Sequence, residues 1–180
     1  MGKKVLIITT SLRANSNSDG LAKAFARGAQ EAGNVVETVS LKGKNISFCR
    51  GCLICQKAQE CVIRDDASRI AQKALNADVL VFATPVYYYG MSGQLKTLLD
   101  RCNPLFSSSY AFREIYLLAA AAEDEKDTVT GTATGIRGWV DCFEKARFAG
   151  MVFAGGVNES GAVQGHPAEE KAYELGKSVE

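Results

Sequence analysis

Two short stretches of this chain, Lys3 to Thr10 and Asp78 to Thr84 (DVLVFAT), centre on unbroken apolar runs with no polar alternation. A strand with one wet face alternates. A run with no alternation is covered on both faces, the condition of a central strand in a parallel sheet. Helical patterns separate such runs. Asp19 can cap a helix through about Ala32, with Leu21, Phe25 and Ala29 near helical spacing and Gly33 beyond its end. Val35 to Leu41 is β-rich, Asp65 or Asp66 caps a helix to about Asn76, and Ser92 caps another to about Arg101. Glu114 to Ala122 reads as a fourth strand, the polar Glu123 to Asp127 run as a solvated loop, Gly138 to Arg147 as a helix and Gly150 to Gly155 as a fifth strand. Pro167 sits in the first turn of a last helix. Strands alternating with helices define an α/β chain with a doubly wound parallel sheet. Right-handed crossovers and five strands suit the order 2-1-3-4-5, with a ligand at the carboxyl ends of strands 1 and 3.

The 180 residues read as one domain, residues 1–180, large enough to bury roughly 70% of the surface of its unfolded chain without disulfide staples. With 21 basic and 20 acidic residues, nothing argues for nucleic acid or an anionic membrane as partner. Val5 to Ile8 is too short for a signal-peptide core or a membrane span, so a cytoplasmic location with reduced thiols is expected.

Ser11-Leu12-Arg13-Ala14-Asn15-Ser16-Asn17-Ser18 joins the first strand to the first helix. Successive backbone N–H groups there can form an anion nest, reinforced by the helix N-terminus. The hydroxyls of Ser11, Ser16 and Ser18 can donate to phosphate oxygens, and Arg13 adds a charge-assisted bond. Neither Gly-x-x-x-x-Gly-Lys-Ser/Thr nor Gly-x-Gly-x-x-Gly follows this strand, so a single terminal phosphate fits better than a nucleoside triphosphate or a Rossmann dinucleotide. A Ser/Asn-rich turn that merely caps a helix is the plainer alternative.

After the third strand, Thr84-Pro85-Val86-Tyr87-Tyr88-Tyr89-Gly90-Met91-Ser92 places three adjacent tyrosines at one strand end. They cannot all face one core. Some line a cleft suited to a planar heterocycle, or an interface between copies.

The two motifs together, Ser-x-Arg-x-x-Ser-Asn-Ser and Pro-Val-Tyr-(x)3-Met-Ser-Gly-Gln-Leu-Lys-(x)3-Asp-Arg from Pro85 to Arg101, resemble the flavodoxin-fold NAD(P)H-dependent FMN reductases. The resemblance runs from Lys3 to about Arg101, with a further similar stretch from Phe153 through Lys177. It implies a flavodoxin-like sheet with FMN at its carboxyl edge. Ser11, Arg13, Ser16, Asn17 and Ser18 would hold the phosphate. Pro85, Val86, Tyr87, Tyr88, Tyr89 and Gly90 would hold the ring, and Ala121 and Ala122, near Glu123, would close its far side. Here the chain departs from the usual Thr/Gly pattern, and Tyr89 replaces a small residue common in relatives. The resemblance also implies electrons taken from NAD(P)H and passed to an acceptor such as a flavin, a quinone or a redox protein, and assembly as a homodimer or homotetramer. A non-enzymatic electron carrier or redox sensor is the alternative.

Cys49, Cys52, Cys55 and Cys61 read Cys-x2-Cys-x2-Cys-x5-Cys within a loop spanning residues 47–63. In a chain that does not look secreted, thiols at this spacing speak for metal or redox chemistry more than for a disulfide scaffold. The motif resembles that of the iron–sulfur flavoproteins, a branch of the same family, which implies a 4Fe–4S cluster. A cubane takes one thiolate per iron corner, whereas zinc sites more often pair two knuckles across a longer gap. Packing of Cys55 and Cys61 as small apolar residues, or a thiol pair exchanging electrons with the flavin, are the competing readings. Cys102 and Cys142 are expected to be structural, and His166 to shape the turn before Pro167.

Overall fold

β1 (Lys4–Thr9) is buried from Val5 onward, because both of its faces are covered. Leu6 and Ile8 enter one apolar core; Val5 and Ile7 enter a second on the opposite face. The computed structural model describes residues 2–180. β2 (Val35–Ser40), β3 (Val79–Tyr87), β5 (Glu114–Ala120) and β6 (Arg147–Ala154) join β1 in a parallel sheet ordered β2-β1-β3-β5-β6. A two-residue strand, β4 (Gly90–Met91), pairs antiparallel with the end of β3. Five parallel strands in the expected order are therefore present, and the short β4 accounts for the sixth.

The helices α1 (Asn17–Glu31) and α6 (Pro167–Lys177) cover one face of the sheet. The first packs on the second unusually closely: a Cβ at Gly28 would lie 2.1 Å from the Tyr173 carbonyl oxygen, and one at Gly176 would lie 2.1 Å from that of Phe25. Only glycine fits at such a crossing. On the other face lie α3 (Asp66–Asn76), α4 (Gly93–Arg101) and α5 (Thr130–Val140); a one-turn helix, α2 (Ile54–Ala58), interrupts the cysteine loop.

Asp65 and Ser92 cap α3 and α4 as the sequence predicts. His166 precedes Pro167 and its Nδ1 accepts the Ala168 N–H. Two expectations are corrected. Ser16, not Asp19, caps α1: the Asp19 N–H donates to Ser16 Oγ at 3.2 Å. The fifth helix spans Thr130–Val140 rather than Gly138 to Arg147, and β6 begins at Arg147. Val129, Thr132, Ile136 and Val140 fall at helical spacing and are buried, which outweighs the loop-like Thr/Gly composition of that segment. No helix among the described residues is long and apolar enough to cross a membrane.

Candidate functional site

At the carboxyl ends of β1 and β3, where the sheet's winding reverses, a cavity of about 180 Å³ opens. Ser11, Arg13, Ser16, Asn17 and Ser18 wall one side; Pro85, Val86, Tyr87, Ala121 and Ala122 wall the other. Two motifs some seventy residues apart thus meet in one crevice. A second cavity of about 310 Å³ shares Val86, Tyr87, Ala121 and Ala122 and adds Tyr88, Tyr89, Glu123 and Thr128. Gly90 lines neither cavity and instead pairs with Tyr87 in the hairpin.

The loop after β1 has the form of an anion cradle. Ser11 Oγ accepts the Arg13 N–H at 3.2 Å, and Asn15 turns the chain through φ 51°. Ser16 Oγ lies 3.4 Å from Ser18 Oγ. The first N–H groups of a helix have no intrahelical acceptor and carry the positive end of its dipole. Arg13 lies across the rim, with Nη1 donating to the Asn158 carbonyl at 2.8 Å.

Within that loop the Asn17 side chain is committed to the protein. Its Nδ2 donates to the carbonyls of Val157 and Glu159 at 2.8 Å each, and its Oδ1 accepts the Val163 N–H at 3.1 Å. Its amide is fully engaged in anchoring the loop after β6, which leaves its backbone N–H for a ligand. Val157 and Asn158 on that loop complete the crevice and were not legible as site residues. The available signal was Gly155: a Cβ there would come within 2.6 Å of Asp124 Cα, so the loops after β5 and β6 touch through it.

The tyrosine hairpin is strained. Tyr88 and Tyr89 both adopt left-handed backbone, φ 48° and 63°, in the two-residue turn between β3 and β4. Such a turn normally takes Asn-Gly, and a side chain there costs roughly 1–2 kcal/mol per residue. Tyr88 is fully exposed, and the nearby Glu123 carboxylate raises the Tyr89 phenol above the usual range. Tyr89 and Glu123 both line the outer cavity, which sets the hairpin beside the loop after β5.

The cysteine loop builds a separate cavity of about 440 Å³, lined by Cys49, Cys52, Cys55 and Cys61 together with Asn103, Phe106, Trp139 and Phe143. Cys49 and Cys52 are exposed, Cys61 is half-buried and Cys55, on α2, is buried. Left-handed backbone at Gly51, Leu53 and Gln59 folds the loop back on itself. A fully buried Arg101 side chain clips its two ends, donating to the carbonyls of Ser47 and Ile63, both at 2.8 Å, and to both Asp65 oxygens at 2.7 and 3.0 Å. Burial opposes ionisation of Asp65, but the bonds from Arg101 and the N–H groups of Ser47 and Ala67 outweigh it and hold the carboxyl below its ordinary value.

Among the described residues, no three Cys, His, Asp or Glu side chains converge tightly enough to hold one metal ion. Four Cys thiols lining one cavity are the donor chemistry that an iron–sulfur cluster takes. Cys102, as expected, is a buried packer whose thiol is pushed up to about 12 by burial. Cys142 departs from expectation: it lies in the exposed turn after α5 and faces the same cavity. The two sites lie toward opposite ends of α4, whose nine residues span roughly 13 Å between Ser92 at the crevice floor and Arg101 at the cysteine loop.

Residues 3–131 match the family model described as NADPH-dependent FMN reductase. An iron–sulfur flavoprotein of Methanocaldococcus jannaschii is 37% identical over 102 residues, 57% of this chain and 53% of that protein. One from Methanosarcina thermophila is 27% identical over 168 residues, covering 93% of this chain and 85% of its own. The chain spans about half the length of several of the curated relatives it matches. An NAD(P)H:quinone oxidoreductase from Methanothermobacter marburgensis superposes with a TM-score of 0.73 at 19% identity, covering both chains completely, a likeness of fold.

Proposed function

Because the chain belongs to the NADPH-dependent FMN reductase family, we propose that it is an FMN-dependent oxidoreductase that takes electrons from NAD(P)H and passes them to an acceptor by way of a 4Fe–4S cluster. The observation that carries the reading is the meeting of Ser11 to Ser18 with Pro85 to Tyr87 in one crevice at the strand ends. There Ser11, Arg13, Ser16, Ser18 and the first N–H groups of α1 would hold the FMN phosphate. Pro85, Val86, Tyr87, Ala121 and Ala122 would border the ring, with Tyr88 and Tyr89 at its outer rim. Cys49, Cys52, Cys55 and Cys61 would hold the cluster.

When bound, FMN supplies hydride acceptance and the cluster single-electron transfer. The chain's own part is binding and orientation. Backbone N–H groups and the α1 dipole compensate negative charge, and apolar Ala121 and Ala122 keep water from one edge. Tyr88, Tyr89 and Glu123 line the outer cavity beside it. No acid–base side chain is required of the crevice, consistent with its walls of hydroxyl, alanine and tyrosine residues.

The test is anaerobic purification followed by flavin identification, iron and acid-labile sulfide assays, and NADH and NADPH oxidation. FMN with iron and sulfide near one cluster per chain, and steady turnover, is the expected result. FMN without iron would remove the cluster from the reading. No flavin after reconstitution would overturn it.

A further inference from the structure

The four thiols proposed as cluster ligands differ in surroundings. Cys49 and Cys52 face solvent, whereas Cys55 is buried and receives a side-chain hydrogen bond: Asn103 Nδ2 lies 3.1 Å from Cys55 Sγ. Asn103 is well placed to hold that position. It lies two residues beyond Arg101, the last residue of α4, in a 3₁₀ turn (Asn103–Ser107) fixed at its start by the Leu105 N–H on the Cys102 carbonyl at 3.0 Å. The same turn is tied to α2 from the other side, where Gln59 Nε2 donates to the Ser107 carbonyl at 2.7 Å. Donor and sulfur are thus held by two elements bonded to one another.

An iron-bound thiolate accepts hydrogen bonds and has no proton to donate, so the amide orientation seen here is the one such a ligand needs. Hydrogen bonds to cluster sulfurs and exclusion of solvent set the reduction potential of iron–sulfur centres. Each N–H directed at sulfur offsets negative charge, and reduction adds negative charge. A donor therefore favours the reduced state. The backbone N–H of Gly51 on Cys49 Sγ, at 3.4 Å, is a second such donor, but it stands at an exposed thiol and is beyond the reach of a side-chain change.

We propose that Asn103 is a positioning residue that sets the potential of the cluster through its hydrogen bond to Cys55. The inference rests on the cluster reading above. Its test is Asn103→Leu, which keeps the approximate volume and removes the donor, with cluster and flavin potentials measured separately by redox titration followed by electron paramagnetic resonance and absorbance. The expected result is a lower cluster potential, with roughly a tenfold smaller reduced-to-oxidised ratio at fixed potential, about 59 mV for a one-electron couple. The flavin potential should stay unchanged, because the crevice lies at the far end of α4. Wild-type protein without iron and sulfide overturns the cluster reading and this inference with it. A wild-type cluster whose potential is unmoved in the variant overturns the inference alone. Should the Leu variant hold no cluster, Asn103→Asp keeps the shape and replaces the donor by a charge. A cluster potential below the wild-type value upholds the role, and an unmoved potential overturns it. Loss of the cluster from both variants makes Asn103 an assembly residue and overturns a potential-setting role.

Discussion

The crevice and the cysteine cavity lie toward opposite ends of α4 and are built by opposite means. The crevice is assembled from loops that leave the ends of β1, β3, β5 and β6, so the ladder places them before any side chain is chosen. Backbone bonds continue that control beyond the strands: the Ala121 N–H donates to the Ala154 carbonyl and the Val157 N–H to the Ala121 carbonyl, both at 2.9 Å. The cysteine loop has one helical turn and no ladder. Its long-range anchors run chiefly through side chains, namely Arg101 with Asp65, Gln59 on Ser107 and Asn103 on Cys55. A site held by backbone register tolerates single substitutions. A site held by a few side chains fails at each of them.

The largest effect should therefore come from Arg101. Arg101→Met removes four hydrogen bonds and leaves Asp65 buried without its cation, a loss of about 3–5 kcal/mol in urea unfolding. Protease cleavage within the cysteine loop should rise while FMN affinity stays near the wild-type value. A parallel loss of FMN affinity would break the contrast between the sites. The same pair predicts a pH dependence. The Asp65 carboxyl is held below its ordinary value, so its stabilisation is complete above about pH 4 and is lost as pH falls through the lower folded value. Pepsin cleavage of the loop should increase across that fall in the wild type, and Asp65→Asn should flatten the increase.

Arg13→Ala comes next, and it acts on affinity rather than on stability. Arg13 is half exposed and its weak pairing with Glu159, at 4.0 Å, adds little to the fold. Loss of a charged hydrogen bond should weaken FMN binding by about 1.5–3 kcal/mol, with unfolding shifted by less than about 0.5 kcal/mol. Unchanged affinity in a flavin-fluorescence titration would remove Arg13 from the phosphate site.

The crevice was more legible in the sequence than the cavity, for the same reason. Apolar runs fix the strands, strand order fixes the switch point, and the residues following β1 and β3 must then face each other. Ser92 and Asp65 announce their helices because a capping oxygen acts within three residues. The rest depends on contacts distant in sequence. Nothing local marks Asn17 as the anchor of the loop after β6, since its three partners lie 140 to 146 residues away. The segment Thr128 to Gly135 is rich in Thr and Gly, both poor helix formers, and only burial against the sheet makes α5 of it. With that helix ending at Val140, Cys142 falls at the rim of the cysteine cavity rather than within a helix. Likewise, the cysteine spacing suggests convergence, but the arginine that clips the loop belongs to another motif.

The smallest effect probes the crevice floor. Ser92 Oγ accepts the Leu95 N–H at 3.3 Å and donates to Thr10 Oγ1 at 2.9 Å, and Thr10 in turn donates to the Ala83 carbonyl at 3.1 Å. This fully buried chain ties β1, β3 and the start of α4 beneath the crevice. Ser92→Ala removes the cap and one hydroxyl link and should cost about 1–2 kcal/mol in unfolding free energy. Yet Thr10 keeps its bond to Ala83, and the Ser92 N–H still donates to Thr84 Oγ1 at 3.1 Å, so the loops above keep their register. FMN affinity should therefore change by less than about threefold, under 0.7 kcal/mol. A stability loss of the stated size with affinity retained sharpens the contrast. An affinity loss beyond about tenfold would show that the crevice, too, hangs on individual side chains, because only a shift of its loops could transmit 1.4 kcal/mol from a residue beneath them.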